Sequence, residues 1–178
     1  MTTPVGGTGR TCIDGFTRPN DTTAYAAGDV MSDSTSAPTV LTFDGAFSPN
    51  SLGFCIINQL VVISSANKSV KPDLELWLFD TLPAAQNDNA AYAPSDADLA
   101  ASHGGGCIGV ITIPASTFKA GNATAGALGN CIADIQNIGM PINSRQTSAG
   151  MLYGHVVVRN AYTPVANEVL TFKLKLLD

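Results

Sequence analysis

Glu168-Val-Leu-Thr-Phe-Lys-Leu-Lys-Leu-Leu177 decides the fold class. Its period is two. Leu170, Phe172, Leu174 and Leu176 fall on one face, and Thr171, Lys173 and Lys175 on the other. Successive side chains of a strand point to opposite sides, so this is a strand with one dry and one wet face, as in antiparallel sheets. Asp73-Leu-Glu-Leu-Trp-Leu-Phe79 repeats the pattern, with Leu74, Leu76 and Leu78 opposite Glu75, Trp77 and Phe79. Here the second face is itself partly apolar and predicts a cover, either a loop or another chain.

The same pattern marks strands at 28–31, 39–43, 53–58, 60–64, 107–113 and 151–159, rich in Val and Ile. Turn chemistry separates them: Asp44-Gly45, Ser48-Pro49-Asn50, Ala66-Asn67, Gly104-Gly-Gly106, Gly121-Asn122 and Gly139-Met-Pro141. Ser95-Asp-Ala-Asp-Leu-Ala-Ala-Ser102 reads as one short helix, with Ser95 as its cap and Asp96 and Asp98 at its positive end. The expected fold is all-β: a two-sheet antiparallel sandwich of jelly-roll type with about eight or nine strands and one short helix.

The 178 residues suit one domain. Residues 1–10, with Gly6, Gly7 and Gly9, read as a flexible N-terminal arm, and 11–178 as a single β-sandwich. Apolar residues make up 45% and charged residues only 13%, which excludes a disordered acidic chain. The net charge of −5 supplies no basic field for phosphates, so nucleic acid is not an expected partner. The longest apolar stretch, 53–63, is interrupted by Asn58 and Gln59 and is too short to span a bilayer, so no membrane is expected either. The first residues carry no secretory signal, which predicts cytosolic synthesis. On that footing Cys12, Cys55, Cys107 and Cys131 are expected as free thiols, and Asn20, Asn67 and Asn122 as ordinary loop residues despite their glycosylation-like triplets.

Catalytic patterns are absent. There is no Gly-x-Ser-x-Gly, no Walker loop, no His-Glu-x-x-His and no Cys-x-x-Cys. Gly6-Gly-Thr-Gly9 follows no strand and is not a phosphate loop. His103 and His155 stand alone, one at a helix end and one in a strand. Asp88, Asp96 and Asp98 lie close together, but they fail the ligand spacing of a calcium loop, and capping accounts for the last two. Neither an enzyme, nor a cofactor, nor a metal site is expected.

Three segments resemble small structural proteins of tailed bacteriophages. They are Phe16-Thr-Arg-Pro-Asn-Asp-Thr-Thr-Ala-Tyr-Ala-Ala-Gly-Asp-Val30, then Leu76-Trp-Leu-Phe-Asp80 with Asp88-Asn-Ala-Ala-Tyr92 and Ser95-Asp-Ala-Asp-Leu99, and last Met151-Leu-Tyr-Gly-His-Val-Val-Val-Arg-Asn-Ala-Tyr-Thr-Pro-Val165 with Leu170-Thr-Phe-Lys-Leu174. The resemblance is to capsid decoration, or cement, proteins of jelly-roll fold. It implies a virion protein on the outer capsid surface, assembled in the bacterial host cytoplasm, whose partners are the major capsid protein and itself. A homotrimer stands slightly ahead of a homodimer on that analogy. The resemblance carries no catalytic residues. The alternative is a receptor- or glycan-binding jelly-roll module on a tail fibre or spike, with Trp77, Tyr92, Tyr153 and Tyr162 as the aromatics a glycan would stack on.

Five residues are the expected oligomer or capsid contacts: Trp77, Phe79, Arg10, Arg18 and Tyr25. Trp77 and Phe79 are costly to leave in water, and the connection at 83–94 is polar and a poor cover. Arg10 and Arg18 are two of only nine cationic side chains and flank the start of the chain. The segment 16–29 reads as a strap along a sheet edge, shaped by Pro19, an Asx turn at Asp21 and a second turn at Gly28-Asp29.

Overall fold

The computed structural model describes residues 9–47, 54–100, 106–121, 130–143 and 150–177. Ten strands occur in the order β1 (Gly9–Thr17), β2 (Val30–Met31), β3 (Leu41–Phe43), β4 (Phe54–Ser64), β5 (Leu74–Phe79), β6 (Cys107–Ile113), β7 (Phe118–Ala120), β8 (Cys131–Asn143), β9 (Leu152–Val158) and β10 (Val169–Leu177). One short helix, α1 (Asp96–Leu99), lies between β5 and β6. Ser95 caps it and closes a capping box with Asp98.

Two antiparallel sheets face each other. The first runs β1-β10-β4-β8-β7. The second runs β2-β9-β5-β6, with β3 following β2 along the same edge of β9. If β2 and β3 are counted as one interrupted strand and the short β7 is set aside, the strands fall in the orders 1-8-3-6 and 2-7-4-5. That is the jelly-roll arrangement, in which the chain passes repeatedly from one sheet to the other.

The alternation in β10 is realised along its whole length. Leu170, Phe172 and Leu174 are 0% exposed, as are Leu74, Leu76 and Leu78 from β5 opposite. One cluster joins these with Ile57, Leu60, Val62, Ile113, Leu152 and Val156 between the sheets. Gly15 in β1 lies so close to β10 that a Cβ there would run into the Leu170 carbonyl oxygen, so only glycine fits this rung.

Two sequence expectations are corrected. Residues 53–58 and 60–64 are not two strands but one, β4, with a bulge at Asn58-Gln59. The inward set passes from Cys55 and Ile57 to Leu60 and Val62, a change of phase that the bulge absorbs. Gly139-Met-Pro141 does not end a strand but lies within β8. Three residues, 137–139, stand opposite Asn58 alone, and Asn137 and Gly139 take positive φ of 56° and 62°. Turn-forming residues here build a bulge in mid-strand. Pro141 follows where β8 has no further strand beyond it among the described residues, a place where a missing N–H is tolerated.

The outer face of the second sheet is covered by its own chain. The connection between β5 and β6 returns past the edge of β2, where Val30 N donates to the Ala90 carbonyl and Asn89 N to the Val30 carbonyl, at 2.8 and 2.9 Å. It then lays Tyr92 over the sheet, against Trp77 at 5.1 Å and His155 at 5.8 Å between ring centroids.

Candidate interface and the buried polar cluster

The five expected contact residues do not form one surface. Arg18, Tyr25 and Phe79 are 1%, 2% and 0% exposed, so each is already buried within the single chain. Phe79 does lie on the same side of β5 as Trp77, but it is packed against the His155 ring at 5.2 Å beneath the connection. Trp77 is half-buried. Its indole N–H donates to Glu75 at 2.9 Å, and Glu75 also holds Arg159 at 2.6 Å. The 83–94 connection is therefore a better cover than its polar composition suggests, because a single aromatic, Tyr92, does the covering. Arg10 belongs to β1 and donates to the Gly45 carbonyl at 2.6 Å. Residues 1–8, and with them Gly6 and Gly7, lie outside the described residues, as does His103.

Arg18 and Tyr25 instead tie the chain to itself. The Arg18 guanidinium pairs with Asp88 at 3.0 Å, and both side chains are at most 1% exposed. Tyr25 donates its hydroxyl proton to Asp88 at 2.6 Å and accepts a hydrogen bond from Arg18 Nε. The backbone N–H of Ser32 donates to Asp88 at 2.8 Å. One carboxylate thus gathers the segment at 18–25, the β2 exit and the 80–106 connection. Burial works against the Arg18 charge, but Tyr25 and Asp88 beside it prevail and hold its pKa above the ordinary value. Burial, then the bond to Asp88, pushes the Tyr25 phenol far up, so it stays a proton donor.

A second network lies alongside. The Tyr25 ring stacks on Tyr162 at 6.5 Å, Tyr162 donates to Glu168 at 2.9 Å, and Ser64 donates to Glu168 at 2.6 Å. The segment 16–29 is the expected strap: Tyr25 N donates to the Tyr162 carbonyl and Gly28 N to the Val158 carbonyl, and Asp21 forms its Asx turn with Thr23 N at 3.0 Å. Asp88 is thereby committed to a cation of the chain, and Asp98 to the α1 cap. Among the described residues no group of three or more His, Cys, Asp or Glu is placed to hold a metal ion. Cys12, Cys55, Cys107 and Cys131 are separate thiols, as expected.

His155 is 5% exposed, and its Nε2 is buried with no hydrogen-bond partner among the described residues. Burial pulls its pKa down from 6.5 to about 4, with Asp98 opposing. Because the folded value lies below the unfolded one, the stability tied to neutral His155 is complete above pH 6.5 and is lost as pH falls toward 4. The expected loss attributable to this residue is about 3 kcal/mol. Denaturant unfolding at neutral and at acid pH, compared between wild type and His155→Gln, measures it: the variant should lose less on acidification.

The chain matches no family model and no curated protein. Among solved structures it is similar to a chain described as "Capsid of Ralstonia phage GP4", at 14% identity, covering 100% of this chain and 89% of that one, with a TM-score of 0.39.

The sequence reading missed the outer face of the first sheet, where five of the eight large apolar side chains exposed among the described residues lie. Its residues come from β1, β10, β4 and β8, and β8 was hidden behind its turn-like residues. The signal available was the wet side of β10 itself, where Thr171, Lys173 and Lys175 alternate with the core.

Proposed function

We propose that this chain is a virion structural protein, a decoration or cement protein that binds the outer surface of a phage head and bridges neighbouring major capsid subunits. The observation that carries the proposal is the jelly-roll strand order, an architecture recurrent in viral capsid domains. The three phage-like segments support it, since each builds a distinct part of the fold. They form the strap at 16–29 with the start of β2, the end of β5 with the cover and α1, and the β9 and β10 strands. Bridging needs no chemistry. Each contact has to bury only a standard-size interface of about 800 Å² per partner.

The tail-fibre or glycan reading is weaker on one observation. Tyr162 is 3% exposed with its hydroxyl on Glu168, and Trp77 and Tyr92 pack against each other, so three of the four aromatics are occupied within the chain. Cryo-EM of the parent virion tests the proposal. Density for this fold at junctions between capsomers is the expected result; density on the tail would overturn it.

A further inference from the structure

The two sheets differ in how their outer faces are finished. The second is roofed by Tyr92 and its connection. The first carries five of the eight large apolar side chains exposed among the described residues: Ile13, Phe54, Ile132, Val169 and Leu177. Half-buried Val61 and Ile63 of β4 run down its middle. Thr171, Lys173 and Lys175 interleave with these side chains, so the face is mixed apolar and charged, the composition of an interaction surface.

Polar groups on this face stand in mirrored places about β4. The strand register sets Lys173 of β10 beside Val61, and Val61 beside Asp134 of β8. One rung away, Thr171, Ile63 and Ile132 form the next row, and on the other side Lys175, Gln59 and Gln136 form another. Asp134 accepts from Gln59 at 2.5 Å and from Gln136 at 2.6 Å, and these bonds hold its carboxylate below the usual range, so it is ionised. Lys173 and Asp134 therefore carry opposite charges on opposite flanks of an apolar centre line.

We propose that this face pairs with the same face of a second copy, about a two-fold axis running along β4. A rotation about that axis keeps each row at its level and exchanges the flanks. Val61 meets Val61 of the partner subunit, and Ile63 meets Ile63 of the partner subunit. Lys173 lies over the partner's Asp134, and the reverse pair forms by symmetry. Thr171 meets the partner's Ile132. Sheets stacked this way lie about 10 Å apart with their strands within about 30° of parallel, so the pairing is closest in the rows nearest the axis. The contact is isologous, which closes at two subunits and yields a dimer rather than a trimer. The inference goes beyond the shell-binding proposal and does not depend on it.

Sedimentation velocity on the full chain tests it, with circular dichroism to verify folding. The wild type should dimerise in the micromolar range. Ile132→Lys and Lys173→Asp should each weaken the dimer by about tenfold or more. Lys173→Asp combined with Asp134→Lys should recover it, because the swap restores both cross-pairs. Trp77→Ser, on the roofed sheet, should leave it unchanged. A monomeric wild type would overturn the proposal. So would a dimer indifferent to Ile132→Lys and Lys173→Asp, a double swap that fails to recover, or a chain that dimerises only after residues 1–8 are removed, which would make that segment the cover of this face. A monomer that still decorates heads would refute this contact alone, whereas a dimer that never binds a shell would refute only the shell-binding reading.

Discussion

Asp88→Ala is expected to cost about 3–5 kcal/mol of folding stability, because it leaves the buried Arg18 guanidinium with only the longer 3.6 Å contact to part-exposed Asp21 as counter-charge. The carboxylate accepts from Arg18, from Tyr25 and from the Ser32 N–H, and none of these donors reaches solvent where it sits. Losing it also weakens the hold of the strap on the connection that roofs β5 and β9, which keeps the backbone bond from Tyr92 N to the Gly28 carbonyl at 2.9 Å. Arg18→Met alone is expected to cost a similar amount, with Asp88 now the stranded ion. The double variant Arg18→Met/Asp88→Leu should recover much of the loss, because an apolar pair can replace a buried ion pair at little cost. Denaturant midpoints for the three variants check the pattern. A double-variant loss equal to the sum of the two single losses would show that the charges are not coupled.

Phe172→Ala is expected to cost about 3–5 kcal/mol as well, for a different reason. Phe172 is 0% exposed and stacks on Phe16 at 6.2 Å, in the centre of the strand that joins β1 to β4. Removing the ring leaves a cavity against two neighbouring strands and the leucines of β5, and a close-packed interior relaxes only partly into such a gap. A loss below about 1 kcal/mol, measured by urea unfolding, would mean the site can collapse.

The fold was legible wherever burial is one-sided and uninterrupted. β5 and β10 show their period plainly because the facing sheet buries one side of each, whereas β6 and β9 show themselves by their Val and Ile content, β9 being buried on both faces. β4 was legible as two pieces, since Asn58-Gln59 breaks the alternation while the backbone continues through a bulge. β8 was not legible at all. Its Asn137, Gly139 and Pro141 carry the chemistry of a turn, and local sequence does not distinguish a loop from a bulge stabilised by a strand far away in the chain. Three of the expected contact residues lie inside the chain, two of them for a related reason. Arg18 and Tyr25 look like surface groups until Asp88, about 70 residues on, supplies their partner, and that pairing exists only once the chain has folded. Trp77 was rightly placed on the outer side of its sheet, but its lid, Tyr92, comes from a segment whose average polarity concealed it.

The register between the first and last strands has a mechanical consequence. Gly9 pairs with Leu177 and Thr17 with Val169, so the outer ends of β1 and β10 leave the sheet at one corner. Tension applied through Gly9 and Leu177 acts across the ladder, opening it rung by rung like a zipper, with each hydrogen-bonded pair loaded in turn. Tension borne instead through the broad face of that sheet is spread over many contacts at once and must shear them together. A fold built in this way resists load when it is held by its face, and peels when it is held by its ends.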